Sequence, residues 1–524
     1  MTKMVENQRN WDAFQVTKKV GIICTYFSEQ FLDESFEIVK LTPENFQEEI
    51  ELNGINTIFI DNDIYETDHM WYKKDRSNLF RYFRNENRRH FSKNVIVIKN
   101  SEMDVGSIFR NSFVLDIDLD SDFYFYQKYQ FKIPLQINYR EINPSINQNK
   151  KSIDLVNLSL GSNNTNLSMQ DGENFNIKNV RIKRFSRTAL NNLISDIINA
   201  RILFISISKT EYFDSKVLKY IEILSTLSST KIVFNDLDSE YNKYEKREEI
   251  QYLLRNEYYS WERILDSQRN CLMNHTSLLT GDFSEFMDNR NRSKTIPQIS
   301  VITTTNRLDM LERYFDQMNS QEHVLLEINL VLDGINLNET KINYIKTNSP
   351  FKINFIESSS SESLGQKLNN AVSNAENHYI AKIDDDDFYG SNYMIDQWLS
   401  LKYSNADMVG KSDTMYYFED DDSTYLKNNG EFYEFTDSVH GSTIFSYKNV
   451  LEEIPFANIS KAVEINLLRR FVNRNFKIYS NHPFGMCVLR KSDKSQHVLQ
   501  VDDILFKNAL NELGFGIPKK YIDL

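Results

Sequence analysis

One stretch of the chain joins a buried strand to a dense cluster of negative charge. The run Tyr379-Ile-Ala-Lys-Ile383 has apolar or aliphatic-stemmed side chains, and Asp384-Asp-Asp-Asp387 follows it directly. A carboxylate cluster cannot lie in the middle of a buried strand, because each buried charge needs a partner. At the carboxyl end of a strand in an α/β sheet, the same cluster faces the crevice where ligands bind. The run therefore predicts a fold in which a buried strand ends at an open edge of a sheet.

The acidic run has two interpretations. Closely packed carboxylates repel one another unless a cation joins them, and carboxylates with substrate phosphates are the usual ligands of Mg²⁺ and Mn²⁺. The alternative is a solvated acidic turn. The run alone does not decide between them, so its neighbours in the sequence must.

Three strand–helix units precede the acidic run. Apolar patterns predict strands over Pro297–Thr304, Ile328–Leu332 and Phe351–Ile356. Leu308, Leu311, Phe315 and Met318 recur at helical spacing after the first strand, and Thr305 or Asn306 would cap that helix. Leu364, Leu368, Ala371 and Val372 predict a second helix. This order describes a parallel, Rossmann-like nucleotide-binding half.

Several short motifs occur in a fixed order between about Pro297 and His497: Ser300-Val-Ile-Thr-Thr-Thr-Asn-Arg307, Val331-Leu-Asp333-Gly334, Leu364-Gly-Gln-Lys-Leu-Asn369, Ile383-Asp-Asp-Asp-Asp387, His440-Gly-Ser-Thr-Ile-Phe445, Val463-Glu464-Ile-Asn-Leu-Leu468 and His497 after Arg490. Each motif is weak alone, but together they are fairly specific. With these motifs, the segment resembles the family 2 glycosyltransferases of the GT-A fold.

The resemblance implies roles for the residues at the strand ends. Thr304, Asn306, Asp333 and Lys367 would bind the nucleotide. The donor would be a nucleotide-diphosphate sugar, with UDP as the expected nucleotide.

The resemblance also implies a site for Mn²⁺ or Mg²⁺. Asp384 and Asp386 match the Asp-x-Asp pair, and Asp386 would be the direct ligand of the cation that bridges the diphosphate. Asp384 and Asp387 would also contact the nucleotide sugar or support the residues that do. His497 lies where some relatives supply a further metal or phosphate contact, and its alternative is a surface histidine in a polar stretch.

The chemistry of sugar transfer requires a general base as well as a charge clamp. Charge builds on the departing diphosphate, and the acceptor hydroxyl must lose a proton. By resemblance, inverting enzymes use a carboxylate at the start of a helix below the sugar, and Glu464 is the acid at that position. The family commonly has a second acid there, but this chain has Ile465 and Asn466. His440 and Gly441 would lie near the acceptor or the diphosphate, or would form a tight turn.

Two other acidic clusters are interpreted as solvated. Asp116, Asp118, Asp120 and Asp122 alternate with apolar residues, which predicts one polar face of an edge strand or the loop after it. Glu419–Asp422 lies between aromatic residues and Ser423-Thr424, which predicts a hairpin loop.

Length and charge exclude several classes of protein. A chain of 524 residues is too long for one core. Its net charge of −13 argues against a nucleic-acid partner, whose binding sites are basic, and against broad adhesion to anionic membranes. Abundant Asn, Lys and Ile indicates a bacterium with an AT-rich genome. Cys24, Cys271 and Cys487 have no paired or metal-binding spacing and fit a reducing compartment.

The sequence predicts a cytoplasmic protein without a membrane span. Its first 17 residues are polar, and its apolar runs are too short to cross a bilayer. Peripheral association with the inner face of the cell membrane and self-association into a homo-oligomer both stay open.

The amino-terminal 290 residues predict two further α/β lobes. Strands are expected at Lys19–Tyr26 and Thr57–Asp61, and again at Arg201–Ile207, with an Asn-rich linker at Asn143–Lys151. This half faintly resembles two-lobed GT-B glycosyltransferases of the spore-maturation type. The segment Ser225–Thr230 lacks the glycine that a phosphate-binding turn needs, so the half is interpreted as degenerate. The predicted domains are 1–142, 143–293 and 294–524.

Two functions from different classes follow from the sequence. One is a metal-dependent glycosyltransferase that moves a sugar to a hydroxyl of a bacterial cell-surface glycan, a teichoic-acid-like polymer or a glycoprotein, with inversion expected. The other is an inactive glycan- or nucleotide-binding scaffold, which the missing acid beside Glu464 would favour.

Overall fold

A computed structural model describes most of the chain as two compact units. The first unit comprises residues 1–142, 150–257 and 270–294, and the second comprises 143–149, 258–269 and 295–524. The predicted division into three domains stays a prediction. The described residues are 18–24, 32, 36–55, 57–61, 94–99, 113–118, 124–127, 130–146, 151–160, 175–182, 187–207, 215–236, 243–255, 257–280, 295–492 and 503–524.

The first unit has one sheet near its amino terminus. Its strands lie in the order β2-β1-β3-β4-β5-β7-β6, and every neighbouring pair is parallel except β6 and β7. The strands are β1 (Lys18–Ile23), β2 (Phe36–Lys40), β3 (Thr57–Asp61), β4 (Asn94–Lys99), β5 (Phe113–Asp118), β6 (Tyr124–Gln127) and β7 (Gln130–Pro134). Helix α1 (Phe46–Leu52) buries Phe46 and Ile50.

The prediction of an edge strand at Asp116 and Asp118 is wrong. Both residues lie on β5, which pairs with β4 on one side and with β7 on the other. The chain reverses through β6 and returns as β7, and this covers the edge that β5 would otherwise present. Asp120 and Asp122 lie outside the described residues.

A second, all-parallel sheet completes the first unit. Strands β8 (Ile153–Leu160), β9 (Ile177–Ile182), β10 (Ala200–Ile207) and β11 (Lys231–Asp236) lie in the order β11-β10-β8-β9. Leu155, Phe204 and Ile250 are buried together between the sheet and a helix. The helices of this part are α2 (Arg187–Ile198), α3 (Ser215–Leu227), α4 (Lys243–Arg255) and α6 (Ser277–Thr280), whereas residues 258–269 of α5 (Glu257–Asn274) belong to the second unit.

The turn without glycine lies at the amino end of the parallel strands. Residues 228–230 directly precede β11, and the buried ammonium of Lys151 donates to Ser228 O, to Thr230 Oγ1 and to Ala200 O at 2.7–2.8 Å. Burial lowers the pKa of Lys151 to about 7. Ligands of such sheets bind at the opposite, carboxyl ends. The composition of this turn therefore gives no information on phosphate binding by the unit.

The larger sheet of the second unit is mixed. Its strands lie in the order β14-β13-β12-β15-β21-β17-β22-β20, and the first four run parallel. The strands of this sheet are β12 (Gln298–Thr305), β13 (Leu325–Asp333), β14 (Lys352–Ser358), β15 (Tyr379–Lys382), β17 (Met408–Gly410), β20 (Glu434–Thr436), β21 (Phe445–Tyr447) and β22 (Ile478–Ser480).

A smaller sheet carries the rest of the strands described in this unit. Its order is β16-β23-β18-β19-β24, where β16 is Phe388–Tyr389, β18 is Met415–Phe418, β19 is Ser423–Leu426, β23 is Met486–Arg490 and β24 is Asn511–Phe515. Strands β18 and β19 are antiparallel, with Phe418 opposite Ser423. Glu419–Asp422 thus forms the hairpin loop that the sequence predicts.

Helices pack against the larger sheet and enclose its core. Leu368, Val372, Leu467 and Phe471 are buried in one cluster with residues of the sheet. The helices are α7 (Leu311–Asn319), α8 (Glu339–Asn348), α9 (Leu364–Asn374), α10 (Tyr393–Ser404), α11 (Lys448–Glu453), α12 (Val463–Asn473), α13 (Asp503–Lys507) and α14 (Lys519–Ile522). The predicted α/β fold class is confirmed.

A buried ion pair fixes part of α5 in the second unit. Arg269 Nε donates to Asp396 Oδ1 of α10 at 2.7 Å, and the His482 ring lies 3.2 Å from the other carboxylate oxygen. Burial alone would raise the pKa of Asp396, but Arg269 and His482 lower it. Segment 258–269 therefore belongs to the core of this unit.

None of the described helices is long and apolar enough to cross a lipid bilayer.

Candidate active site

The carboxyl ends of β12, β13 and β15 meet at one edge of the larger sheet, here termed the carboxyl edge. Thr304 is opposite Val331, Ile302 is opposite Lys382, and Ile383 N donates to Ile302 O at 3.1 Å. This register brings Thr304, Asp333 and Asp384 to the same edge, as expected for parallel strands.

The acidic run alternates between exposed and buried side chains. The side chains of Asp384 and Asp386 are 42% and 22% exposed, whereas Asp385 and Asp387 are almost completely buried. The pair matching the Asp-x-Asp pattern therefore reaches solvent, and the other two carboxylates support the edge from inside.

Arg307 holds the middle of the acidic run. Its guanidinium donates to both oxygens of Asp385 and, at 2.5 Å, to Asp386 Oδ2. Thr305 Oγ1 donates to Asp385 Oδ2 at 2.6 Å, and Arg313 donates to the backbone oxygen of Asp386. Reasoning from the sequence assigned no role to Arg307, although this residue closes the first motif of the resemblance.

The loop that carries Arg307 explains why the predicted helix start is wrong. Helix α7 begins at Leu311, its N-cap Met310 makes no side-chain cap bond, and Leu308 is 43% exposed in the turn before it. Thr305 does not cap the helix because its hydroxyl bonds Asp385 and accepts from Arg307 N at 3.1 Å. The chain thus uses residues 305–310 to place Arg307 against the acidic run.

Asp384 has a buried cationic partner in Lys382, the last residue of β15. Lys382 Nζ lies 2.7 Å from Asp384 Oδ1, and Asp384 N donates to Tyr389 Oη at 3.1 Å. Burial alone would raise the pKa of Asp384, but the Lys382 ammonium lowers it below its usual value. The i, i+2 spacing in a strand puts Lys382 and Asp384 on the same side, so the sequence pattern could have revealed this pair.

Asp387 turns away from the open edge. Its Oδ1 accepts a hydrogen bond from Leu489 N of β23 at 3.1 Å. Burial and the nearby charges of Asp384 and Asp386 raise its pKa well above the usual value. Its contact with a nucleotide sugar stays a prediction.

The residues predicted to bind the nucleotide lie at the ends of β12 and β13. Asn306 is exposed, Thr304 is half-buried, and Asp333 is partly exposed. Lys367 is buried and donates to Asp333 Oδ1 at 2.5 Å. Lys367 therefore fixes the Asp333 carboxylate.

Glu464 lies in the first turn of α12, after Ala462 in the left-handed conformation at φ 54°. Its Oε1 is 3.1 Å from Lys382 Nζ, and its side chain is 21% exposed. Gly441 packs against it so closely that an added Cβ would lie 2.8 Å from Glu464 Cγ. The structure thus brings the predicted base and Gly441 together with Asp384, through Lys382.

His440 is partly buried beside this group. Its Nδ1 lies 2.9 Å from Ser442 Oγ, and burial lowers its pKa to about 4, so the ring is neutral at pH 7. Gly441–Thr443 form a 3₁₀ turn, and β21 begins after this turn at Phe445. Tyr389 Oη donates to Ser442 O at 3.1 Å and connects this turn to the acidic run.

Helix α9 fixes the loop that leads into α12. The Asn369 amide donates to Phe456 O and accepts from Phe456 N at 2.8 and 2.9 Å. A Cβ on Gly365 would lie 1.8 Å from Ala457 O, so the loop approaches α9 only because residue 365 is glycine. The helix that carries Lys367 therefore also positions the helix that carries Glu464.

The donor set at the edge fits a divalent cation held together with phosphate. Asp384 and Asp386 offer partly exposed hard oxygen atoms, and Mg²⁺-type sites commonly combine one or two carboxylates with substrate phosphates and water. No group of three or more His, Cys, Asp or Glu side chains among the described residues could hold a metal ion by itself. His497, predicted as a further ligand, lies outside the described residues.

Comparison with known families assigns this region. Residues 300–453 match the family model described as glycosyl transferase family 2. The second unit carries a family 2 glycosyltransferase domain. The match includes β12–β15, Arg307, Asp333 and the whole acidic run, and it ends before Glu464. The GT-A resemblance stated from the sequence motifs is thereby confirmed for this domain, while the GT-B resemblance of the first unit stays a prediction.

Solved structures that are similar to part of this chain include glycosyltransferases. The mannosyltransferase PcManGT of Pyrobaculum calidifontis, in complex with GDP-Man and Mn²⁺, has 14% identity and a TM-score of 0.32 over 37% of this chain and 57% of its own. TarS of S. aureus has 16% identity and a TM-score of 0.30 over 37% of each chain. TarS 1–349 with UDP-GlcNAc has 14% identity and a TM-score of 0.30 over 39% of this chain and 61% of its own.

The chain thus spans between 37% and 61% of the length of these structures. No curated protein matches the chain.

Proposed function

We propose that the protein is a metal-dependent, inverting glycosyltransferase. It moves a sugar from a nucleotide-diphosphate donor, with UDP as the nucleotide, to a hydroxyl of a bacterial cell-surface glycan, a teichoic-acid-like polymer or a glycoprotein. One observation supports this most directly: within the family 2 domain, partly exposed Asp384 and Asp386 lie at the carboxyl edge, and Lys382 joins Asp384 to Glu464.

The donor would lie along the carboxyl edge. Asp333, fixed by Lys367, would accept a hydrogen bond from the nucleotide base, and Thr304 and Asn306 would line the same pocket. Asp384 and Asp386 would hold Mn²⁺ or Mg²⁺, which when bound neutralises charge on the diphosphate. Arg307 keeps the Asp386 carboxylate in place and adds positive charge near it.

Glu464 would act as the general base. Its carboxylate takes the proton of the acceptor hydroxyl while the acceptor oxygen forms a bond to the anomeric carbon. The bond from that carbon to the diphosphate breaks, and the diphosphate leaves with the electron pair. Attack from the face opposite the leaving group inverts the configuration of the sugar.

Nucleotide release tests this proposal directly. The purified chain is incubated with Mn²⁺ and a panel of nucleotide sugars, and free nucleotide diphosphate is measured. We expect release with at least one donor and its loss in Asp386→Ala. Donor binding without release by the unchanged chain would instead support the scaffold function, for which the missing acid beside Glu464 is the motivating observation.

We propose that the first unit is a degenerate GT-B-like region that serves acceptor binding, assembly or architecture. Ser159 and Ser206 are the last residues but one of its parallel strands β8 and β10, and Asn235 donates to Ser206 Oγ at 3.3 Å. Such neutral groups could hydrogen-bond a sugar but supply no charge to a diphosphate. Asn235→Ala should therefore leave nucleotide release unchanged, and a large loss of release would show that this edge acts on the donor.

A further inference from the structure

We propose that Lys382 is a positioning residue that fixes Glu464 relative to Asp384 for the transfer step. The inference rests on the proposed function and adds a residue to which neither the family match nor the motifs assign a role. Its ammonium lies between the two carboxylates, 2.7 Å from Asp384 and 3.1 Å from Glu464.

The backbone of Lys382 is fixed at the end of β15. Lys382 N donates to Ile444 O at 2.8 Å, while Ile380 and Ala381 before it are fully buried. The Lys382 side chain is only 5% exposed, so the ammonium is surrounded by protein and its hydrogen bonds to the two carboxylates replace those to water. A lysine on an exposed surface would sample many rotamers, but this one is confined to the space between the two acids.

Glu464 is held from two sides. Lys382 bonds its carboxylate, and Gly441 contacts the middle of its side chain, where any larger residue would displace it. Lys382 contacts this carboxylate and also Asp384, and His440, which interacts electrostatically with all three, is neutral at pH 7. Lys382 is therefore the cation that offsets the mutual repulsion of Glu464 and Asp384.

The Lys382 ammonium lies between a carboxylate on the donor side of the proposed site and a carboxylate on its acceptor side. Asp384 belongs to the donor side, and Glu464 receives the acceptor proton. Without a cation between them the two carboxylates would move apart, and the base would lose its distance to the acceptor hydroxyl. A displacement of about 1 Å can cost about 10²-fold in rate.

The test combines single and double variants of the full chain. Lys382→Met keeps the length of the side chain and removes its charge, Lys382→Arg keeps the charge, and Glu464→Gln removes the base. Lys352→Met is the matched control, because Lys352 also pairs with two carboxylates, Glu327 and Glu376, at the opposite end of the same sheet. The rate of nucleotide release, the donor KM and the thermal unfolding midpoint are measured for each.

We expect Lys382→Met to lower kcat about 10²-fold with little change in donor KM, and Lys382→Arg to recover part of the loss. If Lys382 acts through Glu464, the double variant Lys382→Met/Glu464→Gln should be no slower than Glu464→Gln alone. Lys352→Met should release nucleotide at the rate of the unchanged chain.

Two results would overturn the inference: a Lys382→Met variant with unchanged kcat, or a double variant whose loss is the product of the two single losses. A chain that releases no nucleotide from any donor would instead overturn the proposed function. In that case the thermal unfolding midpoints alone test the inference about Lys382. Additive midpoint shifts for Lys382→Met and Glu464→Gln would show that the two side chains do not interact. Non-additive shifts would show that Lys382 holds Glu464.

Discussion

The second unit contains two runs of four consecutive carboxylates in opposite surroundings. Asp384–Asp387 follows the buried strand β15, and two of its members are almost completely buried. Glu419–Asp422 forms the loop between β18 and β19, and all four of its side chains are exposed. The two runs have the same length and charge, so their differences arise from where the fold places them.

Their partners differ in the same way. In the first run, Lys382 and Arg307 bond three of the carboxylates, and both cations lie within or next to strands of the sheet. In the second run, Lys507 pairs with Asp421, whose side chain is 55% exposed. Ion pairs in water contribute little, whereas a buried carboxylate requires its partner.

The comparison shows that charge density alone does not identify a site. A parallel strand that ends in acids brings them to an edge shared with other strand ends, such as that of β13 with Asp333. A hairpin loop leaves its acids on an exposed surface. The following predictions test whether this difference in placement produces a difference in function.

The largest expected effect is on nucleotide release. Asp386→Asn removes a carboxylate charge at the carboxyl edge. The variant should lower the rate of nucleotide release about 10³-fold, because stabilisation of the leaving diphosphate is worth several kcal/mol. Asp420→Asn, the matched change in the exposed run, should leave release unchanged. Equal rates for both variants would remove the functional distinction between the two runs.

Glu464→Gln should have the next largest effect. It keeps the shape of the side chain but cannot accept a proton, so kcat should fall about 10²-fold while donor KM stays nearly constant. Glu452→Gln on the neighbouring helix α11 is the control, since Glu452 pairs with Lys448 at 3.5 Å and is 54% exposed. Undiminished turnover of Glu464→Gln would remove Glu464 from the mechanism.

The third prediction concerns stability. Asp385→Asn should lower the free energy of unfolding by about 2 kcal/mol, because Arg307 and Thr305 lose a charged partner in a nearly water-free position. Asp421→Asn should cost less than about 1 kcal/mol, because its pair with Lys507 is exposed. Urea denaturation of both variants measures the difference, and equal losses would contradict the assignment of a supporting role to Asp385.

The sequence predicted the strands of this domain well because their patterns are local. Strands β12, β13 and β15 and the acidic end of β15 follow from runs of apolar residues, and parallel strands must end at one edge. The hairpin at Glu419–Asp422 is predicted because the run lies between the aromatic segment Tyr416–Phe418 and the hydroxyl-bearing pair Ser423-Thr424. These features depend on neighbours in the chain, so one sequence suffices.

The partners of the acids could not be predicted in the same way. Arg307 and Asp385 are 78 residues apart, and their contact depends on the turn that delays the start of α7 to Leu311. Lys382 and Glu464 meet only because α12 begins beside the end of β15. The pairing of β5 with β7 was missed for the same reason, since an edge becomes an interior position only when a later strand returns.

The smallest expected effect tests a third buried carboxylate, Asp396, through its partner His482. Burial and the nearby Lys411 lower the pKa of His482 to about 4 from an ordinary value near 6.5. In the folded chain the ring therefore stays neutral as the pH falls from 6.5 to 4, while in the unfolded chain it binds a proton. Acid in this window favours unfolding, by about 2 kcal/mol at pH 5 for this one group.

His482→Gln offers an amide to Asp396 and has no group that titrates in this window. Between pH 6.5 and 4, the free energy of unfolding of this variant should fall less steeply than that of the unchanged chain. The difference in slope should correspond to about one proton fewer taken up on unfolding. Asp396, whose pKa is lowered, adds its own loss only at lower pH, and Lys411, with a pKa lowered to about 7, acts above that value. Urea denaturation at pH 7, 6 and 5 measures the unfolding free energy of both chains. If the two plots of this free energy against pH are parallel, His482 takes up its proton in the folded state as well. The surroundings of Asp396 would then be open to water, like those of the acids in the loop at Glu419–Asp422.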